Sequence, residues 1–208
     1  GVRTVTDRLD YVVNTHGHED HVGGLPAVVD AVPVGQAIVS PVTTDSEYYR
    51  DFVDALADRG VTPVAGQAGM QFSLGDAKCT LLGPTAAGSD LNNSSLVLQV
   101  RFGGATFLFM GDAGAEEERS LIQSGADVSC DVLAVGHHGS DSATGYVFLR
   151  QALPKYAVIS VGAGNRYGHP AESTLSRLRD AGCTVYRTDQ SGTITIVTDK
   201  NGKIRCPA

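Results

Sequence analysis

The sequence predicts an α/β protein in which layers of β-sheet are covered by helices. Short apolar runs rich in β-branched and aromatic residues recur along its 208 residues, and segments of helical period lie between them. No internal repeat, linker or shift of composition divides the chain. We therefore expect one domain over residues 1–208.

The strand candidates are short apolar runs bounded by turn-forming residues. They are Leu9–Asn14, Ala37–Ser40, Ala77–Leu82, Leu96–Phe102, Thr106–Met110, Val132–Val135, Ala157–Val161, Thr184–Tyr186 and Thr193–Thr198.

The helix candidates lie between these runs. They are Pro26–Val32, Ser46–Arg59, Ala115–Gln123, Tyr146–Leu153 and Glu172–Ala181. The second is the clearest, because Phe52, Val53 and Leu56 recur at helical spacing and Gly60 follows as a stop signal.

Composition restricts the classes of function. The formal net charge of -7 argues against binding nucleic acid through a broad basic face, although it leaves room for a local basic pocket. The longest apolar runs have about seven residues, far fewer than the roughly twenty that span a bilayer, so we expect no transmembrane segment. The four cysteines form no CxxC pair, which argues against a zinc ribbon or a thioredoxin-type motif.

A cluster of potential metal ligands follows the first strand candidate. His16, His18, Asp20 and His21 fall within six residues. Imidazole nitrogens and carboxylate oxygens suit zinc, manganese or iron, and a two-metal site holds its ions roughly 3.5–4 Å apart. The alternative is a solvated His-rich loop or an expression tag, but a tag would repeat histidine without the intervening aspartate. The run predicts the core of a metal site.

Two further strand candidates end in ligand-type side chains. Thr106–Met110 is followed by Gly111 and Asp112, and the carboxylate of Asp112 is placed to bridge two ions. A strand followed by Gly-Asp is by itself common and usually makes a turn. The upstream histidines are what favour a ligand role for Asp112.

The strand candidate Val132–Val135 leads to the adjacent pair His137 and His138. If the extended backbone continued through the pair, the two rings would point to opposite faces and only one would reach the metal site. We favour His138 as the ligand and His137 as a proton shuttle or phosphate contact. The reverse assignment stays open, as does a surface pair capped by Ser140.

The last histidine, His169, ends a glycine-rich loop after another strand candidate. Arg166 in this loop is a candidate phosphate clamp, because the guanidinium fork matches phosphate oxygens. His169 is either a catalytic residue or a simple loop residue before Pro170. All six histidines of the chain fall in these strand-end segments, which favours one shared site.

These motifs resemble the metallo-β-lactamase superfamily, whose HxHxDH signature is matched by the run from His16 to His21 and whose bridging aspartate is matched by Asp112. Within the superfamily the chain is similar to the hydrolase domain of the ComEC-like DNA-uptake proteins. The segments that carry this likeness are Asn92–Val97, Phe107–Asp112, Val135–Ser140, Pro154–Pro170, Tyr186–Asp189 and Gly192–Ile194.

The resemblance implies a four-layer αββα sandwich that lacks its first amino-terminal strands in this chain. It implies a phosphodiesterase or nuclease that acts on DNA, single-stranded DNA included, in the cell envelope or outside the cell and in association with a membrane channel. Two divalent ions, Zn or Mn, are the implied cofactors.

The resemblance also implies roles for individual residues. His16 and His18 would bind one ion, Asp20, His21 and His138 the other, and Asp112 would bridge them. Asp20, His137 and His169 would be catalytic, and Asn93, Ser94 and Arg166 would bind substrate. Many members have a further His ligand in the region where this chain has Asn92-Asn93-Ser94, which implies either one weakly bound ion or a preference for manganese over zinc.

Two other functions stay open. The same metal core would serve hydrolysis of another ester, such as a phosphocholine ester, a thioester or a lactone, and Arg166 argues for phosphate among these. A non-catalytic nucleic-acid-binding or assembly module would keep the fold without the chemistry. The acidic charge and the set of ligand residues argue against that module.

Overall fold

A computed structural model describes Val2, residues 5–86 and residues 90–206. Its strands are β1 (Leu9–Asn14), β2 (Val34–Val39), β3 (Val64–Ala65), β4 (Gln71–Leu74), β5 (Ala77–Gly83), β6 (Val97–Phe102), β7 (Ala105–Phe109), β8 (Val132–Ala134), β9 (Tyr156–Ile159), β10 (Thr184–Arg187), β11 (Val197–Thr198) and β12 (Ile204–Arg205). Its α-helices are α1 (Glu19–Val22), α2 (Leu25–Ala31), α3 (Glu47–Asp58), α4 (Ala115–Gln123), α5 (Tyr146–Ala152), α6 (Glu172–Asp180) and α7 (Thr188–Ser191).

The strands form a smaller and a larger sheet. The smaller sheet is parallel and has the order β1-β2-β3. The larger sheet has the order β10-β9-β8-β7-β6-β5-β4; its strands are antiparallel from β4 to β7 and parallel from β7 to β10. Strands β11 and β12 form a separate antiparallel pair.

Strand β1 shows how the layers stack, because it is covered on both faces. Val12 packs in a cluster with Phe52 and Leu56 of α3, whereas Tyr11 and Val13 point the other way, toward the cluster that contains Leu81 of the larger sheet. Alternate residues of a strand face opposite sides, so β1 lies between a helical layer and a second sheet.

The far face of the larger sheet is covered by α4, α5 and α6. Leu108 and Leu133 of this sheet share one buried cluster with Leu121, Phe148 and Leu178 of the three helices. The order of layers is therefore helix, sheet, sheet, helix, and the predicted αββα sandwich is confirmed.

Most predicted elements have the expected type, and β1 and α4 also have the expected bounds. The strand predicted at Thr193–Thr198 is wrong for its first four residues. Only Val197–Thr198 is a strand, because its partner β12 has just two residues to pair with. Neither β11 nor β12 belongs to the smaller or the larger sheet. The short elements α1, β3, β4, β12 and α7 were not predicted.

The fold brings four strand ends to one place. Strands β7, β8 and β9 are parallel neighbours, so their carboxyl ends meet at one edge of the larger sheet. The segment after β1 reaches the same edge from the smaller sheet, since the backbone N–H of Leu96 donates to the carbonyl of Thr15. Within the described ranges, no helix combines the length and apolar character needed to cross a membrane.

Candidate metal centre

The first ligand motif leaves β1 and turns into α1. His16 is fully buried, and His18 precedes the helix with an extended backbone, so that its ring turns back toward His16. Nε2 of His16 lies 3.0 Å from Nδ1 of His18. Asp20 and His21 follow on the single turn of α1, which places both within reach of the same centre.

Asp112 reaches this motif from the larger sheet. Gly111 adopts a φ of 55°, a left-handed conformation that glycine adopts without strain, and so turns the chain sharply after β7. Oδ2 of Asp112 lies 3.7 Å from Nε2 of His16, and Oδ1 lies 3.1 Å from Nε2 of His21. Asp112 is buried, so its negative charge is stabilised by these partners rather than by solvent.

The electrostatics of Asp112 and His16 suit ligands that are free of protons. Burial alone would raise the pKa of Asp112, but the contact with His21 and the nearby charges hold that pKa below its usual range. Burial, followed by the charge of His21, lowers the pKa of His16 to about 4. At neutral pH a carboxylate therefore faces a neutral imidazole.

The extended backbone of β8 does not continue through His137 and His138. Both residues adopt left-handed conformations, with φ of 51° and 53°, inside a short 3-10 turn at Gly136–Gly139. The condition under which the two rings would point to opposite faces is therefore not met, because the strand ends before the pair. Both side chains line the same cleft.

Hydrogen bonding separates the two histidines. Nδ1 of His138 donates to the carbonyl oxygen of Ser160 at 2.8 Å, which leaves the lone pair on Nε2. That Nε2 lies 3.2 Å from Oδ2 of Asp20 and 3.1 Å from Nε2 of His21. Nε2 of His137 is farther out, 3.9 Å from Oδ2 of Asp112. The geometry favours His138 as the ligand.

Two groups of side chains have the spacing of a metal site. One contains His16, His21 and Asp112, and the other contains Asp20, His21 and His138. Two nitrogens bound to one tetrahedral ion at about 2.0–2.1 Å are about 3.3 Å apart, close to the nitrogen pairs found here. Oδ1 of Asp112 is buried and has no hydrogen-bond partner of good geometry among the described residues. The donor set therefore fits divalent cations.

Ser95 supports this centre from behind. Its hydroxyl oxygen accepts from the backbone N–H of Asp112 at 3.0 Å and lies 3.3 Å from Nδ1 of His16. The hydroxyl of Thr15 lies 3.1 Å from the same nitrogen. If Nδ1 of His16 carries the proton and donates to these oxygens, Nε2 of His16 keeps a free lone pair on the side that faces Asp112. The sequence analysis did not identify Ser95 as a site residue. The one feature of the sequence that points to it is its position next to the Asn92-Asn93-Ser94 segment.

The centre opens into a cleft of about 1060 Å³. The residues that line it are His18, Glu19, Asp20, Gly23, Gly24, Tyr48, Asn92, Asp112, His137, His138, Ser160, Val161, Gly162, Asn165, Tyr167, His169 and Thr188. His16 and His21 lie deeper, where they contact Asp112.

The structure does not bring the predicted substrate residues Asn93 and Ser94 to this cleft. Oδ1 of Asn93 accepts from the backbone N–H groups of Gly114 and Glu117, so the side chain caps α4. The hydroxyl of Ser94 is turned to the carbonyl of Asp90. It is Asn92 that lines the cleft, and its buried Oδ1 has no hydrogen-bond partner among the described residues.

The loop after β9 forms one wall of the cleft. Oδ1 of Asn165 accepts from the backbone N–H groups of Tyr167 and His169, and its Nδ2 donates to the carbonyl of His169. These bonds place the His169 ring 5.7 Å from the His137 ring. Burial, and then the charge of His137, lowers the pKa of His169, which favours the neutral ring. The predicted phosphate clamp Arg166 is exposed and donates to the hydroxyl of Tyr167, but it is not among the residues that line the cleft.

Comparison with known proteins identifies the family. Residues 7–163 match the family model described as the Metallo-beta-lactamase superfamily. The chain is 34% identical to ComE operon protein 3 of Bacillus subtilis over 90% of its length, and 34% identical to competence protein ComA of Neisseria gonorrhoeae over 94%. It spans about a quarter of each relative, 24% and 26% respectively.

Solved structures show the same fold at low sequence identity. CmlA, a diiron beta-hydroxylase from Streptomyces venezuelae, matches with a TM-score of 0.62 and 16% identity over 89% of this chain and 44% of its own. YhfI of Bacillus subtilis, a metallo-beta-lactamase fold protein, matches with a TM-score of 0.55 and 11% identity over 96% of this chain and 78% of its own. The chain belongs to the metallo-beta-lactamase superfamily of metal-dependent hydrolase domains, and ComEC-like competence proteins are among its sequence relatives.

Proposed function

We propose that this domain is a phosphodiesterase that hydrolyses DNA with the help of two divalent ions. The observation that carries the proposal is the convergence of His16, His21 and His138 with the carboxylates of Asp20 and Asp112 at the base of an open cleft. The ligands come from both sheets, so the folded sandwich is required to assemble the site.

Each ligand has a role in this account. His16, His18 and Asp112 would hold one ion, and Asp20, His21 and His138 would hold the other, with Asp112 contributing to both; His21 lies close to both groups. Bound divalent ions lower the pKa of water toward ~7 and neutralise charge that develops on the phosphate. Asp112 and His21 are 3.1 Å apart, so they fix the two halves of the site relative to each other.

The cleft wall supplies proton transfer and substrate contacts. Nε2 of His137 faces the open side of Asp112, from which it would give a proton to the leaving oxygen, a contribution of about 100- to 10,000-fold. His169 lies against His137 and keeps that ring in place. Asp20, whose carboxylate is 64% exposed, is placed to accept a proton from water. Arg166, which donates to Tyr167 of the cleft wall, would add a positive charge beside that wall for phosphate.

The role in DNA uptake is proposed from the sequence relatives. They carry the names of competence and recombination proteins, and this chain corresponds to about a quarter of each. We propose that the domain cleaves DNA at the cell envelope, in association with the membrane channel of an uptake system. Single-stranded DNA is the proposed substrate.

The test combines metal analysis with turnover. Metal-free protein is reconstituted with zinc or manganese and assayed on bis(p-nitrophenyl) phosphate and on single-stranded DNA, beside a lactone, a thioester and a phosphocholine ester. We expect phosphodiester cleavage that is lost in Asp112→Ala and His18→Ala. Turnover that is unchanged in both variants, or confined to one of the other esters, would contradict the proposal.

A further inference from the structure

Two exposed tyrosines line the cleft and have no part in the metal site. Tyr167 is 67% exposed and Tyr48 is 41% exposed, and both belong to the cleft wall. They come from different layers of the sandwich: Tyr48 lies on α3, which covers the smaller sheet, and Tyr167 lies in the loop after β9 of the larger sheet. Large aromatic side chains that stay exposed beside a site are candidates for stacking with a ligand.

Tyr167 is held in place by its neighbours. Its ring is stacked on His169 at an angle of 21° and a centroid distance of 5.9 Å, and the guanidinium of Arg166 lies 5.1 Å from its centroid while donating to its hydroxyl. Two thirds of the side chain stays open despite these contacts. A fixed ring with accessible surface loses little conformational freedom when a flat ligand stacks on it.

A chain of ring contacts joins Tyr167 to the metal centre. His169 contacts His137 at 5.7 Å between centroids, and Nε2 of His137 lies 3.9 Å from Asp112. Two ring contacts, from Tyr167 to His169 and from His169 to His137, thus separate Tyr167 from the metal centre. With the cleaved phosphate at the centre, a base of a neighbouring nucleotide would lie toward Tyr167. His137 and His169 occupy the region nearest the phosphate, and Tyr167 the region beyond it.

Tyr48 is also held near the mouth of the cleft. Its ring approaches Gly23 closely enough that a Cβ added there would lie 3.4 Å from Cδ1 of the tyrosine. The neighbouring carboxylate of Glu19 raises the pKa of the Tyr48 hydroxyl, and Glu19 and Asp20 of α1 line the same cleft. Tyr48, together with Glu19 and Gly23, and Tyr167, together with Asn165 and His169, line the same cleft. The two tyrosines therefore face one open space.

We propose that Tyr167 and Tyr48 are substrate-binding residues that stack on unpaired bases, and that they select single-stranded over double-stranded nucleic acid. The inference rests on the proposed phosphodiesterase function and names its substrate class. Every base offers a flat face, so stacking tolerates any sequence but requires an unpaired base. The protein has a net charge of -7, and no lysine or arginine is among the residues that line the cleft, so base stacking would supply affinity that a basic face supplies in other proteins.

The experiment measures binding separately from cleavage. Metal-free protein is titrated with a single-stranded oligonucleotide that carries 2-aminopurine, whose fluorescence falls on stacking, and in parallel with an oligonucleotide of abasic sites and with a duplex. The chain has no tryptophan to interfere with the signal. Tyr167→Ala and Tyr48→Ala are compared with Tyr167→Phe and Tyr48→Phe, which keep the ring.

A matched control lies outside the cleft. Tyr146 is 50% exposed and donates to Asp180, but it does not belong to the residues that line the cleft. Tyr146→Ala removes an equivalent exposed ring without touching the cleft. It therefore reports any general effect of losing a surface tyrosine.

We expect Tyr167→Ala to raise the Kd for the base-bearing strand about tenfold and to abolish the quenching, with a smaller effect for Tyr48→Ala. The phenylalanine variants should lose less affinity than the alanine variants and keep the quenching, because they keep the ring. Tyr146→Ala should bind as the wild type does, and the abasic strand and the duplex should bind weakly to all variants. An equal loss on the abasic strand, or full affinity for the duplex, would overturn the proposal. If no divalent ion supports cleavage, the phosphodiesterase fails, yet the titration still decides whether the tyrosines stack on bases.

Discussion

Oδ1 of Asp112 lies 3.1 Å from Nε2 of His21, and this contact joins the two sheets of the sandwich at the metal centre. Asp112 follows β7 of the larger sheet, and His21 follows β1 of the smaller one. A shift of either sheet by about 1 Å would separate the ligands, so packing between the sheets controls the geometry of the site.

The two adjacent histidines should have separable roles. His138→Ala removes a ligand whose tautomer is fixed by Ser160, so we expect a loss of bound metal together with activity. His137→Ala should keep its metal and lose turnover by about 100- to 10,000-fold. Metal analysis beside turnover of bis(p-nitrophenyl) phosphate checks both. The opposite pattern would assign the ligand to His137.

Ser95 should influence metal affinity without being a ligand. Ser95→Ala removes the oxygen that contacts both His16 and the backbone of Asp112, and we expect metal affinity to fall about 10- to 100-fold. Ser94→Ala is the control, because it deletes a neighbouring buried hydroxyl whose bond among the described residues is to the Asp90 carbonyl and not to the metal centre. Competition with a chelator measures the affinity. Equal losses in both variants would show a general packing effect.

Gly111 should be needed both for its conformation and for its lack of a side chain. A Cβ at Gly111 would lie 3.0 Å from the Cβ atoms of Ser95 and Thr15. Gly75 has the same φ of 55° but would meet no described atom within 4 Å. Both alanine variants carry the strain of a left-handed residue, about 1–2 kcal/mol. Only Gly111→Ala should also lose metal, as read by thermal unfolding with and without added ion. If Gly75→Ala loses metal equally, strain alone is responsible.

Glu118 should give the fold a characteristic pH dependence. Burial raises its pKa, and the backbone N–H groups of Gly145 and Thr144 only partly offset the effect. The folded chain thus binds this proton more tightly than the unfolded chain, so stability falls as pH rises from the unfolded pKa through the folded one.

Glu118→Gln cannot ionise, and its amide loses one of the two backbone bonds. The free energy of unfolding of the wild type minus that of the variant should decrease with rising pH and then level off. Urea unfolding from about pH 4 to about pH 8 measures this difference. A difference that is constant or increases with pH would contradict the assignment.

The sequence predicted the elements whose patterns are strong. The strand β1 alternates between two buried environments and α4 has a clear helical period, and both were placed with the bounds observed. The helix α1 was missed because one turn of Glu-Asp-His-Val has no apolar period. The strand β4 was missed because most of it is exposed and its pairing with β5 depends on the tertiary fold.

Site residues were predictable where a strand end determines the position. Asp112 and the first histidine motif each follow a strand candidate, and their ligand chemistry together with the family resemblance predicted that they converge, although β7 and β1 belong to different sheets. The left-handed backbone at His137 and His138 is not encoded by residue type, since histidine rarely adopts it. Which of Asn92, Asn93 and Ser94 faces the cleft depends on a single 3-10 turn, and sequence spacing does not fix that direction.

Metal content measured on untagged protein tests the central claim most directly. The account predicts two divalent ions per wild-type chain and at most one in Asp112→Ala, with phosphodiester cleavage lost in parallel. A wild-type chain that binds no ion when zinc or manganese is supplied, or an Asp112→Ala chain that keeps both ions and full activity, would contradict it.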